Sequence, residues 1–155
     1  MPDGEKVGAD HGVVSHSVFE FPSGVAQQHY TGGIDAHFAA NWRIHDNTFR
    51  NIRSPEKRLA EHAIHFWRGS SNTIVERNMI FNADRGIGFG LGQDGAGHRG
   101  GLVRNSFVHV TRDVGIGLES SSGARVVHNS VFVDTPYANA IEYRFPRTQD
   151  VCHRA

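Results

Sequence analysis

The stretch "RGIGFG", residues 85–90, alternates glycine with Ile87 and Phe89. Side chains of a strand point alternately to its two faces, so this parity sends Ile87 and Phe89 to one side and Gly86, Gly88 and Gly90 to the other. Glycine weakens a strand, so its regular use here needs a reason. The same frame recurs along the chain as "GGIDAH" (32–37), "HAIHFW" (62–67), "VGIGLE" (114–119) and "NAIEYR" (139–144). The anchors Ile34, Ile64, Ile87, Ile116 and Ile141 follow one another at intervals of 30, 23, 29 and 25 residues.

A second motif advances with the first. "IHDNTF", "VERNMI", "LVRNSF" and "VVHNSV" each set an asparagine, Asn47, Asn78, Asn105 or Asn129, between two apolar positions, and "VVSHSV" is a weaker copy with His16 in that place. Three residues before each asparagine lies Ile44, Val75, Leu102 or Val126, and two after lies Phe49, Ile80, Phe107 or Val131. None of these segments shows the i, i+3, i+4, i+7 spacing of a helical repeat. A short strand-turn-strand unit cannot bury its apolar face alone, but stacked coil on coil it builds a core. The sequence therefore predicts an all-β fold, a single-stranded right-handed parallel β-helix of about five coils. Like positions then lie ~4.8 Å apart along the axis. An asparagine tolerates the left-handed turn conformation, and its amide bonds to the equivalent residue one coil away.

Parity then sorts the third strand of each coil. Inward go the five isoleucines, followed by Ala36, Phe66, Phe89, Leu118 and Tyr143. Outward go three rows: Gly33, Ala63, Gly86, Gly115 and Ala140; Asp35, His65, Gly88, Gly117 and Glu142; His37, Trp67, Gly90, Glu119 and Arg144. This reads as a bare backbone floor with polar and aromatic walls, about two coil spacings or ~10 Å apart, wide enough for a sugar ring. A nucleotide-binding glycine motif would need an amphipathic helix after it, and none follows.

Lys plus Arg and Asp plus Glu both total 16 in 155 residues, so no net field draws the chain to nucleic acid or a membrane surface. No apolar run reaches membrane-span length, and the opening residues lack the basic-then-apolar pattern of an export signal. A single cysteine, Cys152, excludes an intramolecular disulfide. The segment "EHAIH" (61–65) invites a zinc reading, but strand alternation puts His62 and His65 on opposite faces, so no metal ligands are assigned there. Asp46, Arg77, Arg104 and His128 precede the turn asparagines and read as turn or ladder contacts.

The blocks "YTGGIDAH", "NWRIHDNTFRNI", "LAEHAIHFW", "VERNMIFNADRGIGFGLG", "DVGIGLES" and "NAIEYRF" together resemble a bacterial group of right-handed parallel β-helix repeat proteins. That group is related in architecture to pectate lyases and to polysaccharide lyases of the chondroitinase B type. The resemblance implies an extracellular or periplasmic protein, monomeric at full length, that acts on or binds a polysaccharide along the parallel-sheet face. It also implies a fragment of a longer solenoid. Residues 1–29 would then be a degenerate first coil, 30–146 the regular coils and 147–155 the start of a truncated coil, all in one domain.

Lyase-like action on an acidic glycan needs a base and a neutraliser for the uronate carboxylate. His65 or His37 suits the first role, having an ordinary pKa near neutrality. Arg144 or a Ca²⁺ ion suits the second, because the two lysines, Lys6 and Lys57, fall in loops. Asp35, Trp67, Gly86, Gly88, Gly90, Gly117, Glu119 and Glu142 would line the substrate groove, with Trp67 as sugar platform. Glu119 and Glu142, on adjacent coils, could instead hydrolyse a glycoside or hold Ca²⁺, and Arg144 is expected to pair with them. The other class of function is a non-catalytic carbohydrate-binding or adhesion module.

Overall fold

The computed structural model describes residues 9–93 and 97–145. Among them every regular element is a strand, and the strands wind through five coils. The first coil holds β1 (Val13–Ser15), β2 (Val18–Glu20) and β3 (Ile34–His37). The second holds β4 (Arg43–His45), β5 (Thr48–Arg50), β6 (His62–Trp67) and β7 (Ser70–Ser71). The third holds β8 (Ile74–Glu76), β9 (Met79–Ala83), β10 (Arg85–Phe89) and β11 (His98–Arg99). The fourth holds β12 (Leu102–Arg104), β13 (Phe107–Val110), β14 (Ile116–Glu119) and β15 (Ser121–Ser122). The fifth holds β16 (Arg125–Val127), β17 (Ser130–Val133) and β18 (Ile141–Arg144).

Equivalent strands pair in parallel and in chain order. The first sheet is β1-β4-β8-β12-β16, the second β2-β5-β9-β13-β17 and the third β3-β6-β10-β14-β18, with β7-β11-β15 forming a narrow fourth. Ile34, Ile64, Ile87, Ile116 and Ile141 stand in one unbroken register. The core between the sheets is a set of such columns. Ile44, Val75 and Val103, Phe49, Ile80 and Val108, Ile64, Ile87 and Ile116, and Phe66 with Phe89 are all fully buried. Each buried Ile, Val or Phe contributes about 1.5–3 kcal/mol relative to exposure. Ile141 and Tyr143, expected inside, keep the register but are 49% and 58% exposed, because no described coil packs over the fifth.

The turn between first and second sheets uses two residues with separate tasks. The leading one, His16, Asp46, Arg77, Asn105 or His128, takes a left-handed φ of 51–55°. The following one makes the ladder. Side-chain oxygens of Asn47, Asn78, Ser106 and Asn129 accept the backbone N–H of Ser17, Asn47, Asn78 and Ser106, one coil earlier, at 3.0–3.2 Å. In the fourth coil the ladder residue is therefore Ser106 rather than Asn105, and in the first it is Ser17 rather than His16. The core positions shift with it, from Leu102 and Phe107 to Val103 and Val108. Either choice keeps two apolar residues five apart, so spacing alone does not separate them. Residues 1–8 of the degenerate first coil and the truncated coil at 147–155 lie outside the described residues, whereas β1 and β2 pair in full register with β4 and β5.

Candidate functional site

The outer face of the third sheet departs from simple alternation at one place. A Cβ added to Gly33 would lie 2.7 Å from the Phe49 ring, one on Gly86 would meet Val108 Cγ1 at 2.4 Å, and one on Gly115 would meet Val131 Cγ1 at 2.3 Å. Ala63, in the same row, is fully buried in the core. In the first four coils this row points inward, next to the isoleucines, so each of those strands turns a corner over two consecutive inward residues. Gly86 is thus a core contact and no part of a groove.

The corner carries a second consequence. With Ala63 and Ile64 both inside, His62 and His65 emerge on the same outer face, their ring centroids 4.6 Å apart. The His62 ring lies over the glycines: a Cβ on Gly88 would come within 2.7 Å of it, and one on Gly117 within 3.5 Å of its Nε2. The expected bare floor is therefore roofed by His62, itself 4% exposed. Gly90, φ +77°, closes the strand, and a Cβ there would strike the Glu119 carbonyl oxygen, placing it at a tight bend. The glycines admit a neighbouring side chain and neighbouring backbone.

His65 is fully buried. Its Nε2 stands 3.1 Å from the Gly90 carbonyl oxygen, and its Nδ1 faces Glu61 Oε2 at 3.3 Å and Asp35 Oδ1 at 3.6 Å. Arg85 holds the other Glu61 oxygen at 3.3 Å. Burial raises the Glu61 carboxyl, but the facing His65 and the Arg85 charge outweigh it and leave the group below the usual carboxylate range. Burial, with the nearby Arg85 charge adding to it, pushes His62 well below the ordinary histidine range and keeps it neutral. Glu61, His62 and His65 each bring one ligand-type atom within 4.8 Å of the other two.

Trp67 stacks on His65 with centroids 5.4 Å apart and planes 3° from parallel. Its indole N–H donates to Asp35 Oδ1 at 2.7 Å. His37 meets the indole edge-on at 4.4 Å, and the exposed Arg68 guanidinium sits 5.0 Å from the ring centre.

At the far end of the sheet the polar groups are engaged with one another. Arg144 donates to Glu142 at 2.8 Å and to the Tyr137 hydroxyl at 2.5 Å, while Asn139 and Tyr137 also donate to Glu142. Burial and the bond to Glu142 push Tyr137 up to about 12. Glu119 accepts the Gly92 N–H at 2.7 Å. The structure thus brings Asp35, His37, His65 and Trp67 together on the first two coils and leaves Glu119, Glu142 and Arg144 on the last two. A base at His65 and a cation at Arg144 do not converge, since three coil spacings separate them by roughly 14 Å.

Sequence parity did not find Glu61, His62, Arg68 and Arg85. The signal was available: the residue before each isoleucine is Gly or Ala in all five coils, as a tight corner requires and an outer row does not.

Residues 9–144 match the family model described as a right handed beta helix region. No curated protein and no solved structure matches the chain.

Proposed function

The chain belongs to the right-handed β-helix family, and from that premise we propose that it binds an acidic glycan, without cleaving it, at the rim formed by Asp35, His37, Trp67 and Arg68. The observation that carries this reading is the immobilised Trp67, pinned by Asp35 through its N–H and backed by the parallel His65 ring. An aromatic held in one orientation loses little entropy when a sugar docks. Arg68 over the same ring supplies a cation for a carboxylate, and His37 beside it supplies a hydrogen-bonding edge. A non-catalytic role is favoured because His65 is buried beneath Trp67 and Arg144 is committed to Glu142. With such a ligand, we further propose, the protein works outside the cell or in a periplasm.

Affinity electrophoresis through gels containing polygalacturonate, alginate or chondroitin sulfate tests the proposal. At least one polymer retards the chain, Trp67→Ala and Arg68→Ala each weaken retention about tenfold or more, and Glu142→Gln leaves it unchanged. Absence of retention on every acidic polymer overturns the reading. Release of unsaturated uronate, followed by its ultraviolet absorbance, replaces it with polysaccharide lyase action.

A further inference from the structure

Three buried polar atoms on the outer face of the third sheet, Glu61 Oε2, His62 Nδ1 and His65 Nδ1, make no hydrogen bond. The side chains of His65 and Glu61 are 0% and 15% exposed, so water does not readily satisfy them. A buried polar group left unpaired costs about 1–3 kcal/mol, and three such groups clustered by chance would be a heavy burden on a small domain. Their orientation is not left to chance. Arg85 occupies Glu61 Oε1 and turns Oε2 toward His65. The Gly90 carbonyl can only accept, so His65 Nε2 carries the proton that bonds it, and Nδ1 is the nitrogen turned toward the cluster. Histidines that ligate metals are held in this way, the outer N–H given to a carbonyl and the inner nitrogen left open.

We propose that Glu61, His62 and His65 bind a divalent transition-metal ion, Zn²⁺ by its donor set, with Asp35 beside the fourth position. Two imidazole nitrogens and a carboxylate oxygen suit Zn²⁺, whereas Ca²⁺ takes six to eight oxygens. Metal bonds of about 2.0–2.2 Å make the edges of a tetrahedron roughly 3.3–3.6 Å long. His65 Nδ1 lies 3.3 Å from Glu61 Oε2 and 3.6 Å from Asp35 Oδ1. The glycines acquire a purpose at the same stroke: Gly88 and Gly117 leave the space that the His62 ring needs to reach the cluster. Because Trp67 stacks on His65 and donates to Asp35, the ion also anchors the aromatic rim.

The test strips the folded 155-residue chain with a chelator and titrates it with Zn²⁺ by calorimetry and with Co²⁺ by visible absorption and tryptophan fluorescence. One equivalent binds, Co²⁺ develops the visible bands of a tetrahedral nitrogen and oxygen site, and Trp67 emission is quenched while that of Trp42 persists. His62→Gln, His65→Gln and Glu61→Gln each weaken binding about 10–100-fold or more, and Ca²⁺ does not compete. Should the histidine variants fail to fold, Glu61→Gln, altering a side chain that still touches solvent, carries the same test. Absence of a stoichiometric ion, or one held with unchanged affinity in these variants, overturns the proposal.

Discussion

Glycine does two different jobs in "RGIGFG" and its neighbour "VGIGLE", and a single methyl group separates them. At Gly86 a Cβ would sit 2.1 Å from the Gly115 carbonyl oxygen and 2.4 Å from Val108 Cγ1. Neither neighbour can retreat, one being backbone and the other core. At Gly117 the nearest atoms are Val114 Cγ1 at 3.3 Å and the His62 ring at 3.5 Å. Gly86→Ala is therefore expected to destabilise the fold by about 3 kcal/mol, and Gly117→Ala by less than about 1 kcal/mol, since lost chain entropy in the unfolded state offsets a small shift. Urea unfolding of the two variants checks this, and equal costs would remove the distinction. The two-residue period was legible in the sequence, and it placed Ile87, Phe89 and the Asp35, His65, Gly88, Gly117, Glu142 row correctly. It failed before each isoleucine, because strict alternation assumes a straight strand and these strands begin at a corner. That one-residue departure hid His62 from His65 and turned a packed cluster into an open floor.

Single strands here are two to six residues long and depend on cross-strand polar contacts as well as the core. Glu76, at the end of β8, is fully buried and clasped by Arg43 from β4, Arg104 from β12 and its neighbour Arg77. Burial raises its carboxyl, but hydrogen bonds from Arg43 and Arg104 and the charge of Arg77 prevail and hold it at about 2, against an ordinary 4.5. A carboxyl depressed in the folded state stabilises fully above its unfolded pKa and loses that contribution as pH falls through the folded one. The clamp is thus intact above about pH 4.5 and dissolves between about pH 4.5 and pH 2. Glu76→Gln should cost about 2–3 kcal/mol at neutral pH, less than a wholly buried pair because the arginines are half-exposed. Its stability should also fall less steeply on acidification than that of the parent. Denaturant midpoints from about pH 6 to pH 3 measure both effects, and parallel curves would contradict the clamp. The sequence exposed the polar ladder as a repeating asparagine but could not assign its register in "LVRNSF", where Asn105 and Ser106 are equally able to cap. Only the neighbouring coils decide, through Asn78 N–H to Ser106 Oγ at 3.2 Å and Ser106 N–H to Asn129 at 3.0 Å.

A stack of coils has no contact between the first turn and the fifth, so its stability is a sum of coil and nearest-neighbour contributions. The third coil has neighbours on both sides: β10 pairs with β6 and with β14, and Ile80, Ile87 and Phe89 are fully buried. Among the described residues, β18 pairs only with β14, and Ile141 and Tyr143 are half-exposed or more. At the other end Val13 and Val18 are 63% and 64% exposed. Opening an end coil therefore exposes little apolar surface and breaks one row of ladder bonds, whereas opening the middle breaks two rows and uncovers the core. Amide hydrogen exchange in the 155-residue chain should grade accordingly. Protection should be greatest at Ile87, whose N–H is bonded to the Gly115 carbonyl at 2.8 Å, intermediate in β6 and β14, and least in β1 and β18. A bound ion at Glu61, His62 and His65 adds protection in β6 and in β10, which pack around it, without moving β18. Equal protection in all five coils, with or without Zn²⁺, would mean that the chain opens only as a whole and that coil-by-coil additivity does not govern it.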